Sequence, residues 1–427
     1  MDLIVKPSRL SGHIAVSGSK SHTIRGIVGA LCAEGTSELR AVLDSADTRA
    51  ALNAAKSFGA RVEESGRNWK ITGVGKKFRR PDNGRIDMAN SGTGLRLLTG
   101  VAALQDFAVT FDGDASLRTR PMATLLAALR QLGAEVIGDR APFTLRGPIR
   151  GGATKVDGAS SQFLSSLLFA LPLADGDSVV RLPRLLEQPY IEITLTHLRQ
   201  LGVEVRKLSA DYLHWEIPGN QKFRPLTRTI PADFSTAAFP LVAGVLCGKE
   251  VVIENLDFSD PQGDKQVFEF VRQMGGDVEI APDRVICRKS QLHGVELDLN
   301  STPDALPILA VAAAFANGRT VLGNVPQARL KETDRISVMA HELGRLGVKT
   351  EELPDGLVIY GGKVRGGKVD SHDDHRVEMA FAVAGMALEN SGESVTIGNA
   401  GSAAVSYPDF VPDFRRLGAD LTGQERA

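Results

Sequence analysis

The stretch Asn90-Ser91-Gly92-Thr93-Gly94-Leu95-Arg96 passes abruptly from small polar residues into the apolar run Leu97–Leu104. It reads as a turn feeding a helix N-terminus, where the first N–H groups lack intrahelical partners and the macrodipole favours an anion. One such turn is usually a plain cap. Recurrence makes it informative: a polar cluster followed by a small-residue apolar helix starts near Ser21, Ser91, Ser161, Ser235, Asp304 and Asp374, at spacings of 70, 70, 74, 69 and 70 residues. A second marker keeps the same register. Helical runs close on glycine before a short strand at Gly59, Gly133, Gly202, Gly275, Gly347 and Gly418, as helix C′ caps do. Two independent markers in one register predict six copies of one unit.

A chain of 427 residues is too long for one ordinary core, and six units divide into two lobes of three. The proline-flanked segment Pro225–Pro231 marks the junction of the third and fourth units. Aromatic residues make up only 5%, which suits tight helix–strand packing better than stacking on nucleobases. The formal net charge of −1 provides no global field toward nucleic acid or membrane, so no partner of either kind is expected. Cys32, Cys247 and Cys287 show no metal-ligand spacing and read as buried free thiols of a reducing compartment. The N-terminal Met1–Pro7 lacks a signal-type apolar core and no run is long enough to span a bilayer, so a cytoplasmic location is expected.

Several helix starts carry chemistry. Ser17–Arg25 places Lys20 at a turn and Arg25 on the first helical turns, where both could converge on a phosphate; a solvent-facing turn is the plainer alternative. Asp112–Met122 sets Arg118 and Arg120 beside a helix that Pro121 begins at N1; the arginines invite an anion or pair with Asp112 and Asp114. Ser160, Ser161 and Gln162 offer hydroxyls and an amide to a hydroxylated small molecule. Asp304 alone would be an acidic N-cap. In Arg329–Arg335, Lys331 and Arg335 stand at i and i+4 on one helical face, with Glu332 turned about 100° away. Cations at a helix start oppose the dipole, a conflict that a bound anion resolves. In Ser371–Arg376 two histidines and two aspartates are nearly contiguous, and acidic caps beside an anion-binding Arg376 explain them better than a metal does. If the two lobes face each other across these helix starts, the cations line one cleft with Asp304 and Glu332 as its acids.

Together, Ser17-Gly18-Ser19-Lys20-Ser21, Asn90-Ser91-Gly92-Thr93, Arg120-Pro121, Ser160-Ser161-Gln162, Pro303-Asp304-Ala305, Lys331-Glu332-Thr333-Asp334-Arg335 and Asp374-His375-Arg376 resemble, in order and over nearly the full length, the signature series of the 5-enolpyruvylshikimate-3-phosphate synthases. The resemblance implies an α/β fold: a two-lobed inside-out α/β barrel of six βαβαββ repeats, three per lobe. The first lobe would hold residues 14–229 and the second residues 1–13 and 230–427, with the active site in the interdomain cleft. It implies transfer of the enolpyruvyl group of phosphoenolpyruvate to the 5-hydroxyl of shikimate 3-phosphate, with release of phosphate, by a monomer needing no metal or organic cofactor. Lys20, Ser21, Arg25, Ser160, Ser161, Gln162, Asp304 and Lys331 would hold shikimate 3-phosphate; Lys20, Gly92, Arg120, Gln162, Arg335 and Arg376 would hold phosphoenolpyruvate. Asp304 would take the proton of the attacking hydroxyl, and Glu332 or Lys20 would protonate the methylene carbon. Glycine at Gly92 implies sensitivity to glyphosate.

The chain departs from the family pattern at Val405, where a lysine is usual, at Glu187, where a serine is usual, and at Gln327, where an asparagine is common. Loss of a cation that touches phosphoenolpyruvate costs on the order of 1.5–3 kcal/mol unless another basic residue substitutes. The related UDP-N-acetylglucosamine enolpyruvyl transferases carry a reactive cysteine in the loop that runs here from Gly113 to Pro121, which has none. RNA 3′-phosphate cyclases of related architecture carry a basic stripe that is missing here. A non-catalytic phosphometabolite-binding relative would have no evident use for both Asp304 and Glu332.

Overall fold

The helices that follow the polar clusters are apolar or small-sided all round, and such helices must be enclosed on every side. In the computed structural model, which describes residues 1–282 and 284–424, this is what they do. Helices Phe234–Cys247 and His375–Met386 are buried along their whole length. In helix Lys20–Cys32 only Lys20 and Ser21 reach solvent, in Gly92–Ala102 only Thr93, and in Ser161–Ala170 only Gln162. These last three helices are therefore open to ligands only at their first turns.

The chain forms two compact units, Gly18–Pro231 (the inserted unit) and Met1–Ser17 together with residues from Ala232 onward (the discontinuous unit). Residues 425–427 of the expected second lobe lie outside the described residues. In the inserted unit, helix Gly92–Ala102 packs on both Lys20–Cys32 and Ser161–Ala170. Their approach is so close that a Cβ at Gly100 would lie 2.4 Å from Ser166 Oγ. In the discontinuous unit, Phe234–Cys247, Leu306–Phe315 and His375–Met386 pack pairwise.

Central helices of both units lie against four-stranded sheets, three sheets to a unit. In the second repeat, Arg85–Asp87 runs parallel to Val109–Asp112, which pairs antiparallel with Phe143–Arg146, itself antiparallel to Glu135–Ile137. The same succession of one parallel and two antiparallel pairings recurs in all six sheets, and in four of them the strands follow the chain order first, second, fourth, third. Helices within and sheets without give the inside-out arrangement, although the sheets are separate and open and do not close into a hydrogen-bonded barrel among the described residues.

Three sheets are completed by distant strands. Thr227–Thr229 lies parallel to Thr36–Arg40, and Leu10–Ala15 lies parallel to Gly248–Glu254. Asp2–Lys6 sits between Val395–Gly398 and Asp420–Gln424. These pairings set the division at Ser17/Gly18 and Pro231/Ala232, since strand Leu10–Ala15 goes whole to the discontinuous unit. The six cap glycines take φ between 73° and 108°, the left-handed region in which a Cβ is strained.

Candidate active site

In the inserted unit the first turns of the three central helices supply the polar groups. Lys20, the first residue of its helix, places Nζ 2.9 Å from Oδ2 of Asp47, a buried residue in the first turn of helix Ala46–Ser57. Arg25, one turn along, is fully buried; Nε donates to Thr194 Oγ1 at 2.8 Å, and Nη2 donates to the Tyr190 carbonyl at 3.3 Å and to Ser165 Oγ at 3.5 Å. Its Nη1 donates to the Ser21 carbonyl at 3.1 Å. Burial pulls the guanidinium down to about 10, against the opposing influence of Tyr190 and Glu187. It remains a cation at neutral pH, held by neutral acceptors.

Gln162 ties two repeats together, since Nε2 donates to Thr93 Oγ1 at 3.0 Å while Oε1 accepts from Arg96 Nη1 at 2.6 Å. Ser160 caps the helix, its Oγ accepting from Gln162 N. Ser161 donates through Oγ (2.9 Å) and N (3.3 Å) to Oε2 of Glu187. Gly92 opens its helix beside Arg120, whose Nη2 donates to Asn90 Oδ1 at 2.6 Å. The two arginines of that segment divide. Arg118 forks onto Asp112, which that contact first of all holds down at about 2, whereas Arg120 turns to Asn90. Pro121 lies outside the helix Ala123–Gln131 rather than at its N1 position, because Met122 is the N-cap; its carbonyl accepts from Arg96 Nη2 instead.

In the discontinuous unit the charges converge on Asp304. Arg335 Nη1 donates to Oδ1 at 2.9 Å, Lys331 Nζ lies 3.5 Å from the same oxygen, and Arg376 Nη2 is 3.1 Å from Oδ2. Burial pushes the Asp304 carboxyl up, but Arg376, then Lys331 and Arg335, overcome it and hold it well below the usual carboxylate range, with Glu332 opposing them.

Arg335 is buried within three carboxylates. It donates from Nε to Asp374 Oδ2 at 2.8 Å and from Nη2 to Glu332 Oε2 at 2.7 Å, in addition to Asp304. Burial disfavours its charge, yet Asp374, Glu332 and Asp304 more than offset this and raise it. Asp374 also caps helix His375–Met386, accepting from Arg376 N.

Three sequence expectations change here. Lys331 and Arg335 do not share a helical face: Asp334 is the N-cap and the helix begins at Arg335, leaving Lys331 in extended conformation. Glu332 is accordingly free to fold back onto Arg335 instead of pointing away. The clustered cations at this helix start are balanced by Asp304, Glu332 and Asp374 of the same unit, so their crowding does not itself require a bound anion. Asp47 is the acid that sequence reasoning missed, and Asp374, expected as an acidic cap, is one and also pairs with Arg335. Each stands in a helix first turn or cap, where an acidic residue is ordinary, and only the cation they touch distinguishes them.

His372 bonds Glu342 through Nε2 at 3.0 Å, and no group of three or more His, Cys, Asp or Glu among the described residues is placed to hold a metal ion. Val405 ends the short turn Ser402–Val405, which buried Glu378 secures by accepting from Gly401 N and Ala403 N.

The family model for EPSP synthase (3-phosphoshikimate 1-carboxyvinyltransferase) matches residues 4–414. Proteins named 3-phosphoshikimate 1-carboxyvinyltransferase from Acetivibrio thermocellus and Methanothermobacter thermautotrophicus are 43% and 42% identical to the chain, with 99% of each chain covered. A solved EPSP synthase of Acinetobacter baumannii superposes with a TM-score of 0.81 at 30% identity, over 99% of this chain and all of the other. The enolpyruvyl transferase NikO of Streptomyces tendae, at 20% identity, shares the fold with a TM-score of 0.79. The chain belongs to the EPSP synthase (3-phosphoshikimate 1-carboxyvinyltransferase) family.

Proposed function

We propose that the residues gathered above carry out the family's reaction: transfer of the enolpyruvyl group from phosphoenolpyruvate to the 5-hydroxyl of shikimate 3-phosphate, with release of phosphate. The observation that carries this reading is the Asp304 carboxylate held by Arg376, Lys331 and Arg335 beside Glu332. Cations clustered on one carboxylate suit a substrate that brings further negative charge. When an anionic substrate claims Arg376 and Lys331, the groups that depress Asp304 are partly withdrawn, and its basicity rises as the hydroxyl arrives.

Asp304 then accepts the hydroxyl proton while Glu332 or Lys20 gives a proton to the methylene carbon; the hydroxyl oxygen bonds to C2, making a tetrahedral adduct. The adduct loses phosphate from C2 and a proton from the new methyl group, which restores the enol ether. Lys20, Ser21, Arg25, Ser160, Ser161, Gln162, Asp304 and Lys331 serve shikimate 3-phosphate in this reading. Lys20, Gly92, Arg120, Gln162, Arg335 and Arg376 serve phosphoenolpyruvate. Arg335 does so by exchanging one of its carboxylate partners for the substrate. The acting species is taken to be a cytoplasmic monomer.

Phosphorus NMR of the mixed substrates is the test. Phosphoenolpyruvate should disappear and inorganic phosphate appear with shikimate 3-phosphate and not with UDP-N-acetylglucosamine; the reverse preference would overturn the assignment of the acceptor.

A further inference from the structure

Glu187 immediately precedes helix Gln188–Gln200 and is buried. Its φ of 59° lies in the left-handed region, which a glutamate enters only under strain, so the surroundings hold it there. That backbone turn brings its carboxylate to the first turn of helix Ser161–Ala170, where Oε2 accepts both the Oγ–H and the N–H of Ser161. Arg25, buried one layer away, feels the Glu187 charge as well. Within this unit, then, a helix N-terminus and a serine hydroxyl already hold an anion, and that anion is a side chain of the same chain.

We propose that Glu187 is a built-in competitor at the phosphate seat, occupying the Ser161 donors until the phosphate of the acceptor substrate displaces it. The inference rests on the functional reading above, in which Ser161 receives the phosphate of shikimate 3-phosphate. One N–H and O–H pair in contact with Glu187 Oε2 does not also bind a phosphate oxygen, because two anions at that separation repel in a site with little water.

Displacement gives up two hydrogen bonds to an ionised acceptor, which weakens any phosphate at this seat by about ten- to a hundredfold. A free phosphate gains little besides the seat and stays out. Shikimate 3-phosphate brings a ring, hydroxyls and a carboxylate to other residues at the same moment and overcomes the competitor. Glu187 is thus a specificity-determining residue that rejects small inorganic anions, including the phosphate that the reaction releases. The serine usual at this position has no charge with which to do so.

The test is calorimetric titration of inorganic phosphate, and separately of shikimate 3-phosphate, into the wild type, Glu187→Ser and Glu187→Asn. Asparagine removes the charge and tolerates the left-handed backbone, so it decides the matter if serine disturbs the fold. Both neutral variants are expected to bind inorganic phosphate ten- to a hundredfold more tightly, and Ser161→Ala in the Glu187→Asn background should abolish the gain. Unchanged or weaker phosphate binding by a variant that melts as the wild type does would overturn the proposal and make Glu187 part of the seat. Failure of the functional reading shows separately, as wild-type protein that turns over no shikimate 3-phosphate, and the inorganic phosphate titrations decide the role of Glu187 in either case.

Discussion

A methyl group added at Gly92 would sit 2.8 Å from Nη1 of Arg120, with Cδ and Cζ at 3.7 and 3.8 Å. Ordinary contact begins near 3.4 Å, so the guanidinium must withdraw by about half an ångström. The backbone at Gly92 has no objection, since it opens helix Gly92–Ala102 outside the left-handed region, and alanine is the better helix former. The strain therefore falls on Arg120, which is buried and whose Nη2 already donates to Asn90 Oδ1 at 2.6 Å. A guanidinium moved by that amount keeps part of a charged hydrogen bond whose full loss costs about 1.5–3 kcal/mol.

Gly92→Ala should accordingly raise KM for phosphoenolpyruvate about three- to tenfold, from a loss of roughly 1 kcal/mol, and weaken inhibition by glyphosate by more. The melting temperature should stay level or rise slightly. Steady-state kinetics with varied phosphoenolpyruvate and glyphosate measure both effects. The cause is checked in an Arg120→Met background, where the added methyl meets no guanidinium and the two substitutions should be strongly non-additive. Equal inhibition of wild type and Gly92→Ala, or full additivity with Arg120→Met, would refute the reasoning.

Replacement of Arg335 by methionine should destabilise the discontinuous unit by about 3–5 kcal/mol in urea denaturation, because it leaves Asp374 charged and fully buried beside Glu332. Lysine should not rescue it, lacking the fork that spans three carboxylates. Asp304 has a folded pKa below its unfolded value of about 3.9, so its ionised form stabilises the fold above that pH, and the contribution is lost as pH falls through the folded value. Asp304→Asn should therefore lower the melting temperature at pH 7, by about 1–3 kcal/mol in stability, and the gap to wild type should narrow below pH 4. Cys32, Cys247 and Cys287 are buried, and burial pushes the thiols of Cys247 and Cys287 up to about 12. A thiol reagent should label none of the three until denaturant is added, and rapid labelling of the native protein would contradict their placement.

The sixfold repeat was legible because two different signals, polar helix starts and C′ glycines, shared a register; both mark helix ends, which sequence constrains strongly. The strands were less so. Arg85–Asp87 and Ala153–Lys155 have three residues each, too few for alternation to register. The partnership of Thr227–Thr229 with Thr36–Arg40 links segments that no local pattern connects. At the site, Lys20, Gly92 and Ser161 were placed correctly at helix starts. The direction of Glu332 was not legible, because the number of residues outside a helix decides where an acidic side chain points. A helix beginning at Arg335 rather than at Lys331 was enough to turn Glu332 inward. Asp47 approaches Lys20 from another helix, a tertiary contact with no trace in either local sequence.

The central claim is that Asp304, held among Arg376, Lys331 and Arg335, serves enolpyruvyl transfer to shikimate 3-phosphate. Its most direct test is the rate of phosphate release from phosphoenolpyruvate in the presence of shikimate 3-phosphate, compared between wild type and Asp304→Ala. The account predicts release that requires shikimate 3-phosphate and falls at least a hundredfold in the variant, roughly the share of general base catalysis. Comparable rates in a folded Asp304→Ala protein would contradict the role of Asp304, and no release by the wild type would contradict the reaction itself.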